Sequence, residues 1–146
     1  MSGKPGVSVS HFGICVSDEE RSIRFYTGAL GFTFDHTVEV TPPFDTLTEL
    51  PGMQNRCSFL LLGDRKIELL AFASPPVTGS GERRPMNRLG ITHLSLIVDD
   101  IEDICARIRQ FGGAVLDRTR VSGPHGAMIF CTDPDGTRIE LWEKVG

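Results

Sequence analysis

The stretch HFGICVSDEERSI at residues 11–23 returns at residues 93–104 as HLSLIVDDIEDI. In each copy a histidine opens an apolar run, the run meets acidic residues, and a helical pattern begins at the acids. The closing segments repeat as well, since RKIELL at residues 65–70 corresponds to TRIELW at residues 137–142. A duplication of this kind decides the architecture, because each copy is one supersecondary unit that needs a neighbour to bury its apolar face.

Within each copy the order reads strand, helix, then three strands, which is a βαβββ module. The first strands are expected over Val7 to Val16 and Ile91 to Val98. The others are expected over Phe32 to Val40, Cys57 to Leu62, Lys66 to Ala73, Ala114 to Val121, Ala127 to Thr132 and Thr137 to Lys144. Ser17 with Glu20 and Asp99 with Glu102 resemble capping boxes at the two helix starts. Ile101, Ile104, Cys105, Ile108 and Phe111 recur at helical spacing, and Gly112-Gly113 stops that helix as Gly31 stops the first. Thr41 to Gln54 is an insertion without counterpart, and a Pro/Gly-rich linker joins the modules; both are long enough to act as flaps. Module one thus covers about residues 7–74, the linker about 75–89 and module two about 90–146, all in one domain of 146 residues.

Side chains on a strand alternate between faces. His11 therefore opposes Phe12, Ile14 and Val16, and His93 opposes Leu94, Leu96 and Val98. Glu68 lies between Ile67 and Leu69 and Glu140 between Ile139 and Leu141, so each acid also faces away from its branched neighbours. A lone strand histidine or glutamate is usually a solvated or satisfied group. Four at repeat-equivalent positions are different, because pseudo-twofold pairing of the modules brings them toward one axis. Two imidazoles and two carboxylates suit one divalent ion, Zn²⁺, Ni²⁺, Co²⁺, Fe²⁺ or Mn²⁺, with two octahedral places left for a small-molecule substrate. His36 and His125 lack counterparts; His125, in a Ser-Gly-Pro-His-Gly turn, is the weaker candidate for substrate contact.

The formal charge of −4 gives no attraction to phosphate backbones, so nucleic acid is not an expected partner. No apolar run is long enough to cross a bilayer and the opening MSGKPGVSVS has no signal-peptide core, so a cytoplasmic location is expected without membrane association. Cys15, Cys57, Cys105 and Cys131 lie too far apart in sequence for a C-x-x-C site, and they read as reduced thiols, Cys105 as a small buried hydrophobe.

His11 to Asp18, Phe25-Tyr26 through Phe32, Gly90 to Ile101 and the DPDGTRIEL run at residues 133–141 resemble the vicinal oxygen chelate superfamily. That group includes glyoxalase I, methylmalonyl-CoA epimerase, extradiol dioxygenases, and fosfomycin and bleomycin resistance proteins. The resemblance implies an α+β fold of two tandem βαβββ modules forming a half-open eight-stranded cup, with the two helices outside, and a homodimer. It also implies a metal at His11, Glu68, His93 and Glu140. The dioxygenase and fosfomycin branches resemble a triad without an acid at Glu68, and bleomycin-binding members generally lack the ligands. What the resemblance then implies is an enzyme that removes a proton α to a carbonyl and holds the enolate on the metal, with Glu140 or Glu68 as base and Glu140 preferred. A glyoxalase I-like (lactoylglutathione lyase-like) lyase comes first and a methylmalonyl-CoA epimerase-like isomerase second. A bleomycin resistance-like binding protein is the non-enzyme alternative. Glutathione-using members are expected to carry Arg and Asn where this chain has Cys15 and Phe72.

Overall fold

The two copies of the pattern build two sheets of the same design in the computed structural model, which describes residues 6–146. The opening segment read for a leader falls partly on the first five residues and to that extent lies outside the described part. The first module runs β1 (Phe12–Cys15), α1 (Glu19–Gly28), β2 (Thr33–Val40), a short α2 (Asp45–Thr48), β3 (Gln54–Leu62) and β4 (Arg65–Ser74). The second runs β5 (Leu94–Val98), α3 (Ile101–Gln110), β6 (Ala114–Gly123), β7 (Gly126–Thr132) and β8 (Arg138–Glu143). The sheets have the orders β1-β4-β3-β2 and β5-β8-β7-β6, and in each the first strand is parallel to the last. This is the expected α+β pair of βαβββ modules, except that the two helices, expected on the outside, pack into the core the modules share because their apolar faces meet both sheets there. Its eight strands form two open four-stranded sheets, neither closed into a barrel.

Register repeats along with topology. Gly13 stands opposite Glu68 as Ser95 stands opposite Glu140, and Phe59 stands opposite Glu68 as Phe130 stands opposite Glu140. The sequence places both helix starts one residue early. Asp18 and Asp100 are the N-caps, their carboxylates accepting from the backbone N–H of Arg21 and Asp103. A cap side chain must reach the N–H three residues on, and Ser17 is drawn away: its backbone N–H and hydroxyl donate to Asp135 in the other module. Gly31 and Gly112 end the helices at φ +77° and +89°, where a Cβ would be strained.

The first strands are shorter than the pattern predicts. Val7 to His11 and Ile91 to His93 carry strand-forming alternation but find no strand partner among the described residues. Val7, Val9 and Ile91 stay 83%, 72% and 82% exposed. A run of apolar alternation becomes a strand only where another backbone takes up its hydrogen bonds.

A shared core positions the modules. Phe25, Tyr26, Ile101 and Ile108 from the helices meet Leu60, Ile67, Leu69, Ile129, Ile139 and Leu141 from both sheets in one buried cluster. Burying side chains of this size stabilises by about 1.5–3 kcal/mol each. The contact is tight: a Cβ on Gly28 would come within 2.4 Å of the Phe111 ring, and one on Gly113 within 2.7 Å of Phe25. Polar contacts fix the same junction. The buried Tyr26 hydroxyl donates to Asp133 at 2.8 Å, and Arg21 pairs with Asp135 at 3.0 Å. Burial lifts the Asp133 carboxyl above its ordinary value, opposed by hydrogen bonds from Tyr26 and from the backbone of Thr137 and Asp135. Because both sheets turn their apolar faces to this core, their opposite faces look outward. Among the described residues no helix is long and apolar enough to cross a membrane.

Candidate functional site

On the outward face of the first sheet, β1 and β4 bring His11 and Glu68 together. His11 Nε2 lies 2.9 Å from Glu68 Oε2, and its Nδ1 lies 2.8 Å from the Ser10 hydroxyl. The ring edge meets Phe59 with centroids 5.5 Å apart, and Lys66 Nζ sits 5.8 Å from the same phenyl centroid. His36, which had no repeat counterpart, stacks on Phe59 at 4.9 Å and pairs with Asp35. Burial pushes the Cys57 thiol up to about 12, and its hydrogen bond to Glu68 adds to the shift. Phe44, from the inserted segment before α2, lines a cavity of about 200 Å³ together with Glu68, Phe59 and Cys57. The insertion thus lies beside Glu68.

The second sheet repeats the arrangement. His93 Nε2 lies 3.9 Å from Glu140 Oε2, and His93 Nδ1 lies 2.8 Å from the Thr92 hydroxyl. The His93 ring meets Phe130 edge-on at 5.2 Å, and the Arg138 guanidinium lies 5.3 Å from the Phe130 centroid. One detail differs: Ser95 donates to Glu140 Oε1 at 2.7 Å, whereas Gly13 occupies the matching place opposite Glu68. Each half-site is therefore a hydroxyl, a histidine, a phenyl, a glutamate and a cation. Side-chain exposures of 34% and 16% for His11 and Glu68, and 25% and 22% for His93 and Glu140, leave both open to an incoming ligand.

The structure brings the four acids and imidazoles together as two pairs. Among the described residues no three His, Cys, Asp or Glu side chains gather in metal-holding geometry within one chain. His125 is exposed at the β6–β7 turn, where its carbonyl accepts from Trp142 Nε1 at 2.9 Å. All four cysteines are free; Cys105 is buried as expected, while Cys15 is exposed.

Sequence reasoning missed Ser10, Thr92, Phe59, Phe130, Lys66 and Arg138. The signal was present, because each of the three couples occupies equivalent positions in the two copies. A serine, a phenylalanine or a lysine carries no ligand signature of its own, so the supporting shell emerges only from the match between the two copies.

Residues 8–141 match the family model of the Glyoxalase/Bleomycin resistance protein/Dioxygenase superfamily. The chain is 36% identical over 138 residues to a lactoylglutathione lyase of Salmonella typhimurium, covering 91% of this chain and 90% of that protein. A glyoxalase family protein from Bacillus cereus has the same fold, with a TM-score of 0.87 at 20% identity over 100% of this chain and 99% of its own. The trypanothione-dependent glyoxalase I of Leishmania major superposes with a TM-score of 0.63 at 23% identity, covering 91% and 84%.

Proposed function

The chain belongs to the Glyoxalase/Bleomycin resistance protein/Dioxygenase superfamily, and we propose that it is a divalent-metal-dependent lyase of the glyoxalase I type. It acts on a thiol-carried small molecule by removing a proton α to a carbonyl. The observation that carries this reading is the duplicated His–Glu pair. In both copies a hydroxyl occupies Nδ1 and turns Nε2 toward a carboxylate, which is how proteins prepare an imidazole as a ligand. The 2.9 Å between His11 Nε2 and Glu68 Oε2 is about the span of two ~2.1 Å metal–ligand bonds at a right angle. His11, Glu68, His93 and Glu140 would hold the ion, whose bound form supplies Lewis acidity beside the substrate oxygen.

Since one chain keeps the two pairs apart, we assign the complete site to a homodimer, with His11 and Glu68 from one copy and His93 and Glu140 from another. Support comes from the outer edges of β1 and β5, which have no strand partner among the described residues, and from the exposed apolar side chains next to them. A second copy that pairs those edges covers Val7, Val9 and Ile91 and brings the two outward faces side by side.

Glu140 is the base. Ser95 holds one of its oxygens, and at 3.9 Å its other oxygen is less engaged with histidine than that of Glu68. It accepts the substrate proton and returns it to the neighbouring carbon, while Glu68, bonded to His11, stays a ligand. A second reading, an acyl-thioester isomerase, is favoured by Cys15 and Phe72. By strand alternation both lie on the ligand face, where the glutathione-using pattern calls for Arg and Asn.

The test is solvent deuterium exchange into hemithioacetals and α-acidic acyl thioesters with metal supplied, together with metal analysis. The lyase reading expects exchange in the hemithioacetals, and Glu140→Gln is expected to lower it by about 10²–10⁴-fold. Exchange confined to acyl thioesters would select the isomerase. Exchange in neither class, with tight binding of a planar drug, would leave a sequestering protein.

A further inference from the structure

Besides its histidine, each glutamate of the proposed site is held by a side-chain donor, and the two donors come from different strands. Glu140 accepts from Ser95 of β5, whereas the matching place on β1 is Gly13, which has no side chain to donate. Glu68 is bonded instead by the Cys57 thiol of β3. Cys57 pairs with Leu70, two residues along from Glu68, so its side chain shares the Glu68 face as a diagonal neighbour. The corresponding residue of β7 is Met128, paired with Trp142 two residues along from Glu140, and a thioether has no proton to donate. Each donor therefore appears where the other copy lacks one: Gly13 with Cys57 in the first, Ser95 with Met128 in the second.

The thiol is itself oriented. Asn55 Nδ2 donates to Cys57 Sγ at 3.3 Å, which leaves the S–H proton for the carboxylate. Asn55 and Cys57 are both buried, 4% and 5% exposed. Asn55 Oδ1 has no hydrogen-bond partner among the described residues, a costly arrangement for a buried amide. An amide left half-satisfied marks its other end, the bond to sulfur, as the contact the fold keeps. Val38, Val40 and Phe44 line the cavity that Cys57 and Glu68 share. In such apolar surroundings a thiol packs as a small hydrophobe and still offers a proton.

We propose that Cys57 is a positioning residue for Glu68, holding the carboxylate in the orientation a metal ligand requires, with Asn55 setting the thiol behind it. The inference rests on the metal site of the proposed function and assigns Glu68 its support. His11 Nε2 meets Oε2 at 2.9 Å and the thiol holds the same carboxylate from β3, so its rotation is fixed from two sides. A ligating carboxylate is ordinarily hydrogen-bonded in turn, and its outer partner sets metal affinity without touching the ion.

Two measurements test the assignment. In the metal-free protein the S–H stretch falls in an infrared window clear of other protein bands, and the Cys57 band is the one missing from Cys57→Ala. A hydrogen bond to a carboxylate lowers this frequency, so Glu68→Gln, which offers only a neutral acceptor, is expected to raise it. A Cys57 band that does not move in Glu68→Gln would show that the thiol is not bonded to Glu68 and end the proposal. No metal is present, so this result is independent of whether the protein binds an ion. Competition titration against a chromophoric chelator then reads the positioning. Cys57→Ala is expected to weaken metal binding about 10–100-fold, while Cys57→Ser, which keeps a donor at the same place, retains wild-type affinity. Wild-type affinity in Cys57→Ala, or equal losses in Cys57→Ala and Cys57→Ser, would overturn the proposal.

Discussion

Ser10 and Thr92 stand one residue ahead of a histidine and hold its Nδ1 at 2.8 Å, which sets the ring so that Nε2 faces the carboxylate. Losing that partner frees the ring to rotate and to change tautomer. Removal of an outer-shell partner typically lowers metal affinity about 10–100-fold. Ser10→Ala and Thr92→Ala are therefore each expected to weaken metal binding within that range without unfolding the protein, while Ser10→Thr retains affinity. Competition titration against a chromophoric chelator reads the difference; wild-type affinity in both alanine variants would make the two hydroxyls bystanders. At this scale the metal-ligating types were legible, because strand alternation fixes the face of a residue from its number alone. Their supports were not. A serine before a histidine becomes meaningful only when Thr92 is seen doing the same in the other copy.

The elements show where local pattern yields to a distant partner. Ser17 looks like a helix cap, but Asp135 in the other module takes its hydroxyl, and Asp18 caps α1 instead. Tyr26 on α1 likewise reaches Asp133, between β7 and β8, and is fully buried there. Burial, aided by the Asp133 charge, holds the Tyr26 hydroxyl well above its ordinary value of 10.0. With a raised folded-state value, this group's contribution to stability is complete below pH 10 and is lost as pH climbs through the folded value. Tyr26 is the chain's single tyrosine, so phenolate absorbance reports it alone. The expected result is no ionisation near pH 10 until the protein unfolds. Tyr26→Phe leaves a buried carboxylate oxygen unpaired and is expected to cost about 1–3 kcal/mol in denaturant unfolding, with a shallower alkaline decline than the wild type. Ionisation at the ordinary value with the fold intact would show that the junction opens to water.

At the scale of the whole molecule, the sequence shows the duplication, the βαβββ order and the strand face of His11, Glu68, His93 and Glu140. It does not show the disposition of one module against the other, because a repeat fixes what each half looks like and not how the linker lets the halves pack. That disposition comes from contacts with no periodic signature: Phe111 over Gly28, Phe25 against Gly113, and the linker seated on Gly136. These contacts turn the helix faces inward and send the two His–Glu pairs outward on separate sheets. Residues 7–11 and 91–93, which find no strand partner among the described residues, are what a chain that completes its sheets with another copy would present. In the proposed dimer each site draws His11 from one copy and His93 from the other. The direct test mixes His11→Ala and His93→Ala proteins after reversible unfolding and measures bound metal. Each variant alone has two broken sites per dimer, whereas a mixed dimer has one site with both substitutions and one with neither. In a statistical mixture half the dimers are mixed, so metal binding is expected to recover to about a quarter of the wild-type stoichiometry. A mixture that binds no more metal than either variant alone would place both histidines of each site in a single chain and contradict the account.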